Sequence, residues 1–430
     1  MIDAPGPWGT GPFTLAEGYS SISTRCAIMR ADPFACTWLI ESEDRTPRLV
    51  LEVNRNHWNP QRVPRLERVV FRNDLSPADA LEQCISGEGE VDIVTEVSPA
   101  DAARVKASPY ATLQAYDANR VLVGIVNRYA SDVPLRDVRA RQALNLAVDV
   151  SKVIAEGLAG YATPLAALTP PWCSGFPGGQ QPYPYDAGQA RSLMSAAGWP
   201  QGRPLRLATP GALAGIARLV AADLEAALGL RVDITVIPAE QGLAALRMLV
   251  EKKIVPAWDV LLHGWFDLSS EAPPAAVHRE FFGSDGAFRA GPELPEFDRL
   301  YAEMAAQIDG AKLVAVAERI DKLVYDEALA LFLCAPQALY AVNKHVSFLG
   351  YRTTFELAET AVDEEHWSRH SAANGSPDQA AAPQGRTGIE STGFHGAGCW
   401  ALVPRGCPLQ SQVEQRGLHV GRSDSLRFAW

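Results

Sequence analysis

The 430-residue sequence predicts an α/β protein in which sheet and helix layers alternate. Two observations carry this. Short runs of period-two hydrophobic alternation are interleaved along the chain with segments of helical period, and several of those segments end on glycine. A third observation bounds the size: 47% hydrophobic and 21% charged residues over this length fit ordinary globular composition and two large or about three domains.

In chain order, Gly9-Thr10-Gly11-Pro12-Phe13 opens the ordered part. Leu49, Leu51 and Val53 alternate with Val50, Glu52 and Asn54 as a strand, and residues 67–72 form a second. Ser76-Pro77 is an N-cap and first helical position for a helix carrying Ala80, Leu81, Cys84 and Ile85. Strands follow at 91–94, 110–116 and 120–126, with a short helix over 99–106. A helical block starts at Asp137 with Val138, Arg141, Leu144, Ala147 and Val148 as its stripe. Helices over 187–197 and 213–228 end at Gly198 and Gly229, with strands at 203–209 and 232–236. A strand at 259–262, helices over 295–308 and 313–327, and strands at 329–334 and 338–342 complete the pattern. From His366 to Trp430 there is no lysine and no sustained apolar period. Six arginines stand against four acidic residues there, so a disordered extension is expected.

The net charge of -11 excludes a general nucleic-acid-binding surface. The longest apolar stretch, 328–342, is interrupted by Pro336 and is shorter than a membrane span. The first residues lack both a basic and an apolar region, so no signal peptide is read in them, and a chain made as given would stay in the cytoplasm. Seven cysteines form no C-x-x-C pair; Cys26 and Cys36 could pair in an oxidising compartment or remain thiols. Phosphate-loop, dinucleotide and nucleophile-elbow motifs are absent, and no cofactor is expected. His366 and His370 have helical metal-ligand spacing but read better as a solvated helix end. For an enzyme, only His263 and His278 could be nominated as bases.

The most informative segment is Trp258 to Asp267, an apolar strand followed by His263, Gly264, Trp265, Phe266 and Asp267. Ligands of open α/β sheets bind at the carboxyl edge of such strands. There an indole offers a flat wall and a carboxylate can hold an ammonium group. The same residues fit a core strand in which Asp267 caps the next element.

Several stretches together resemble the bacterial extracellular solute-binding proteins of family 5, the dipeptide- and oligopeptide-binding components of ABC importers. They are Gly9 to Phe13, Asn54-Arg55-Asn56-His57-Trp58, Gly89 to Val94, Val138 to Asp149, Pro184-Tyr185-Asp186 through Ala197-Gly198-Trp199-Pro200, Asp259 to Asp267, and Pro295 to Leu300. The resemblance implies a periplasmic two-lobed fold with a discontinuous first lobe, incomplete here because the chain begins at a turn that follows much of lobe I in such proteins. It implies residues 1–127 in lobe I, 128–340 in lobe II, 341–365 returning to lobe I, and 366–430 as the tail. It further implies a monomer, when complete, that closes on a small peptide-like solute and delivers it to ABC permease subunits. The ligand-binding residues would be His263, Trp265, Phe266, Asp267 and Asn127, with Asp267 as counter-ion for an amine. Two departures bear on the ligand. The family motif has one more residue before the aspartate, and Thr209-Pro210-Gly211-Ala212 lacks the arginine that dipeptide binders use for the ligand carboxylate.

Overall fold

The structure, a computed structural model, describes residues 10–18, 46–238, 257–266, 275–286, 288–350, 357–370 and 425–429. Cys26, Cys36 and Asp267 lie outside them.

Antiparallel strands β1 (Phe13–Glu17), β2 (Arg48–Val53) and β3 (Arg68–Arg72) open the chain. Helix α1 (Pro77–Ser86) begins where expected: Ser76 Oγ accepts the Asp79 N–H at 3.1 Å and Pro77 takes the first position, where its missing N–H costs nothing. Then come β4 (Ile93–Val94), α2 (Ala102–Ala107) and β5 (Ala111–Tyr116). The central part contains β6 (Arg120–Val126), α3 (Val138–Leu146), α4 (Val150–Gly157), β7 (Ala162–Pro164), α5 (Ala187–Ala197), β8 (Leu205–Pro210), α6 (Ala214–Leu228), β9 (Val232–Ile237) and β10 (Val260–Phe266). Helices α7 (Ala275–Phe282), α8 (Pro295–Ala305) and α9 (Gly310–Asp326) precede β11 (Ala330–Pro336) and β12 (Ala338–Asn343). Short strands β13 (Val346–Ser347) and β14 (Ala361–Val362), a single turn α10 (Trp367–His370) and β15 (Ser425–Ala429) follow. Gly198 and Gly229 end α5 and α6 with φ of 78° and 67°, a left-handed conformation open to glycine at no steric cost.

Two large sheets organise these elements. One has the order β1-β2-β3-β15-β4-β12-β5 and the other β7-β11-β6-β10-β8-β9. In the second sheet, period-two alternation feeds two cores. Leu122 and Val126 of β6 and Leu331 and Leu333 of β11 pack with α3 to α6, whereas Val121, Val123 and Phe332 pack with α7 to α9. Burying both faces explains why these strands read as nearly continuous apolar runs. Gly124 sits at the centre, where an added Cβ would lie 2.7 Å from Val260 Cγ1 and 2.9 Å from Leu331 Cβ. The first sheet packs α1 and α2 on one face and Leu66, Val69, Ile93, Tyr340, Val342 and Phe348 on the other.

Strand β6, within the residues 1–127 that the sequence reading assigned to lobe I, pairs with β10 and β11 in the middle of the second sheet. The crossovers are residues 117–119 and Gln337, each joining one sheet to the other. An apolar strand fits either sheet by composition; its partners decide.

The tail also departs from expectation. His366 and Ser368 are buried, so ordered packing runs past residue 365. The segment 425–429, expected to be disordered, is a strand between β3 and β4 and parallel to both, joining two halves of the first sheet.

Candidate functional site

The junction of the two sheets is built from strand ends. β10 runs antiparallel to β6, with His263 opposite Val123, Trp265 opposite Val121 and Phe266 opposite Arg120. β10 therefore delivers Trp265 and Phe266 to the edge where the chain crosses between lobes. The strand reaches Phe266 rather than stopping near Leu262, because Gly264 pairs with Leu122 within the ladder instead of breaking it. β8, parallel to β10, brings Thr209 and Pro210 toward the same edge.

The crossovers are fastened to each other. Gln337 Nε2 donates to Asp117 Oδ1 at 3.0 Å, and the Gln337 N–H donates to the Tyr161 carbonyl at 3.0 Å. Glu96, just past β4 of lobe I, lies 4.0 Å from Arg120 at the start of β6 of lobe II. Both side chains are largely exposed, so this pair contributes little to stability and is free to rearrange. Next to them, Thr95 Oγ1 and Asn119 Nδ2 are buried without a hydrogen-bond partner, while Asn119 Oδ1 accepts from Cys173 Sγ at 3.0 Å. Unpaired polar atoms are costly to bury, and here they leave donor and acceptor capacity at the lobe junction. Sequence reasoning missed Thr95, Glu96, Asn119 and Arg120, since nothing local marks them as neighbours.

The structure does not bring all the expected ligand-binding residues together. Asn127 is buried at the opposite end of β6. Its N–H donates to the Asp259 carbonyl (2.8 Å), its Nδ2 donates to the Trp258 carbonyl (2.9 Å), and its Oδ1 accepts the Tyr129 N–H (3.0 Å). Those bonds clamp the start of β10, about 20 Å from Trp265 at roughly 3.3 Å per residue. His263 is half-buried mid-strand with its ring centroid 6.1 Å from that of Phe281, in the lobe II core rather than at the edge.

Burial pushes the His263 imidazole down to about 4 from its ordinary value near 6.5. The unfolded chain therefore binds a proton below about pH 6.5 that the folded chain takes up only near pH 4, and stability falls as pH drops through that window. His263→Leu should flatten the decline of the urea midpoint between pH 6.5 and 4 relative to the parent. Parallel pH profiles for the two proteins would refute it.

The remaining nominated histidines are structural. His278 Nε2 lies 3.1 Å from Asp321 Oδ1, and the same carboxylate accepts the Leu168 and Thr169 N–H groups and the Thr169 hydroxyl. His366, expected on a solvated helix end, is buried with Nε2 3.1 Å from Asp92 Oδ1. Its Nδ1 lies 2.9 Å from Ser368 Oγ and accepts the Ser368 N–H at 3.3 Å, so Nε2 carries the proton. The Asp-His-Ser order resembles a hydrolytic triad, yet the three side chains are buried and pin residues 366–370 to lobe I. Among the described residues there is no cluster that could hold a metal ion, and no helix is long and apolar enough to cross a membrane.

Comparison with known proteins agrees with this architecture. Solved structures similar to the chain include the ABC transporter substrate-binding protein CtaP of Listeria monocytogenes, at a TM-score of 0.65 and 18% identity over 82% of this chain and 67% of that one. The DppA periplasmic binding protein of Helicobacter pylori, in complex with the peptide STSA, matches at 0.58 and 20% identity over 73% and 60%. In sequence, the di/tripeptide-binding protein 2 of Pseudomonas aeruginosa is 24% identical over 80% of this chain and 59% of its own length. The glutathione-binding protein GsiB of Salmonella choleraesuis is 37% identical over 22% of this chain and 20% of its own. The chain thus spans between one fifth and three fifths of these two curated relatives. The family model described as bacterial extracellular solute-binding proteins, family 5 Middle, matches residues 37–286, more than half of the sequence, and with the two sheets and their paired crossovers this makes the chain a member of solute-binding family 5.

Proposed function

We propose that this chain is the substrate-binding component of an ABC-type importer, working outside the cytoplasmic membrane, that captures a peptide or another amine-bearing solute between its lobes and hands it to permease subunits. The observation that carries the reading is the edge itself: β8 and β10 end, and β6 begins, where two crossovers join separate sheets, an arrangement suited to hinge closure. Trp265 supplies an aromatic wall and Asp267 the counter-ion for an ammonium group. Arg120, at the same edge, is the nearest candidate for a ligand carboxylate, in place of the arginine lacking from 209–212. The relatives named for di/tripeptides and glutathione support a solute that carries both charges.

Calorimetry with a library of short peptides and amines tests the proposal. A ligand should be found, and Asp267→Asn should weaken it by roughly 30-fold or more, since a buried ammonium left unpaired costs about 2–5 kcal/mol. Trp265→Ala should weaken it through lost contact area. Asn127→Ala should lower stability and leave the dissociation constant unchanged, because Asn127 stands at the far end of the sheet. An unchanged constant for Asp267→Asn, or a large shift for Asn127→Ala, would sink the assignment.

A further inference from the structure

Directly after Asn127, at the end of lobe II remote from the crossovers, Arg128 is only 4% exposed. Its backbone is anchored on both sides: the N–H donates to the Ala290 carbonyl at 2.7 Å and the carbonyl accepts Arg136 Nε at 3.1 Å. Its guanidinium makes no hydrogen bond or ion pair with any described residue. Arg289, close enough to repel it, has Nε buried without an acceptor. The third arginine nearby, Arg141, is fully engaged: it donates to the carbonyls of Leu135, Arg136 and Glu327 and to Glu327 Oε2 at 3.3 Å. Glu327, whose side chain is half-exposed, thus pairs with Arg141 and forms no ion pair with Arg128, on which its charge acts only from a distance, behind the repulsion of Arg141 and Arg289. Gly291 shapes the same spot, since a Cβ there would lie 2.7 Å from Arg128 Cβ, Cζ and Nε.

A guanidinium largely withdrawn from water and without a protein acceptor is costly to hold, and a second arginine beside it, its Nε buried and unpaired, adds repulsion. Burial, followed by repulsion from Arg141 and Arg289, pushes Arg128 down to about 10, which leaves it charged at neutral pH. An oxyanion can accept N–H pairs from two neighbouring guanidinium groups that no protein acceptor occupies.

We propose that Arg128 and Arg289 form an oxyanion site at the pole of lobe II opposite the cleft, taking a phosphate, sulfate or carboxylate group. It lies about 20 Å from Trp265, by the length of β6 at roughly 3.3 Å per residue, and is separate from the solute edge. It stands whether or not the solute reading does.

The test is thermal unfolding of the full chain in chloride, phosphate, sulfate and acetate at matched ionic strength. Phosphate and sulfate stabilise most proteins by exclusion, an effect linear in concentration and common to all variants. A bound oxyanion adds a saturable rise in midpoint. The parent should show that rise, and Arg289→Gln should shift its half-saturation at least about tenfold. Arg128→Met, of similar length but uncharged, should abolish saturation and raise the midpoint in chloride, because it removes an unpaired cation. Saturation by phosphate and sulfate indicates a free inorganic ion or phosphoryl group; saturation by acetate alone indicates a carboxylate, as from an acidic peptide. No saturable response in any anion, or identical responses in the parent and Arg289→Gln, would overturn the proposal. Arg289→Gln, at a half-buried position, keeps the test valid if Arg128→Met does not fold.

Discussion

Asp92→Ala should lower the unfolding free energy by about 3–5 kcal/mol, among the largest effects of any single substitution in this chain. The reason is the concentration of donors on one buried oxygen. Asp92 Oδ1 accepts from Asn343 Nδ2 at 3.2 Å, His366 Nε2 at 3.1 Å and Trp367 Nε1 at 2.7 Å. Asp92 and His366 are completely buried, so the alanine variant leaves donors that water cannot reach, each costing about 1–3 kcal/mol. Asp92 also ties three stretches of lobe I: the start of β4, the end of β12 and the segment that holds α10. A urea titration followed by near-ultraviolet circular dichroism checks the magnitude, and hydrogen exchange of residues 366–370 checks the location. Asp92→Asn retains an acceptor oxygen and should lose less. A loss below about 1 kcal/mol for the alanine variant would show that residues 366–370 are held elsewhere.

Asp259→Ala should cost a similar amount in lobe II, about 3–5 kcal/mol. Asp259 is completely buried; its Oδ2 accepts from Arg203 Nη1 at 2.6 Å and its Oδ1 from Arg203 Nη2 at 2.8 Å, a two-pronged bond. The same carboxylate accepts the Arg206 N–H at 2.7 Å and Arg206 Nη2 at 3.1 Å. It thereby locks the start of β10 to β8, the register that sets where Trp265 emerges. Removing it leaves a mostly buried guanidinium with one ionic partner, Asp132 at 2.9 Å, and the Pro204 carbonyl. The double variant Asp259→Ala/Arg203→Met should recover a large share of the loss, because the unpaired cation rather than the missing attraction dominates. Measured by denaturant unfolding, a double variant no more stable than Asp259→Ala would contradict that account. The parent's solute affinity should fall with Asp259→Ala only as far as β10 shifts, which separates this residue from the direct contacts expected of Trp265 and Asp267.

Much of the element order was legible because its causes are local. Asp137, Asp186 and Ser76 cap helices through their own neighbours, and Gly198 and Gly229 end them by adopting positive φ. The ordered motifs from Gly9 to Leu300 likewise carried the family without any tertiary information. What the sequence could not settle depended on partners far along the chain. β6 is an apolar strand acceptable to either sheet, and only its ladders with β10 and β11 assign it to the second. Asn127 and Trp265 share a two-strand ladder, but antiparallel pairing puts them at opposite ends of it. His366 looked solvated beside polar neighbours, and the carboxylate that buries it lies 274 residues earlier. The five residues of β15, Leu426 and Phe428 alternating with Ser425 and Arg427, form too short a run to stand out from the segment around it, and two distant strands supply their hydrogen-bond partners. Arg128 read as one scattered arginine until folding set it beside Arg289 with no ion pair to any described carboxylate. Caps, turns and periodicity act within a few residues and are therefore written in the sequence. Strand partners and the balance of buried charge come from the closure of long loops, and only the tertiary structure decided them.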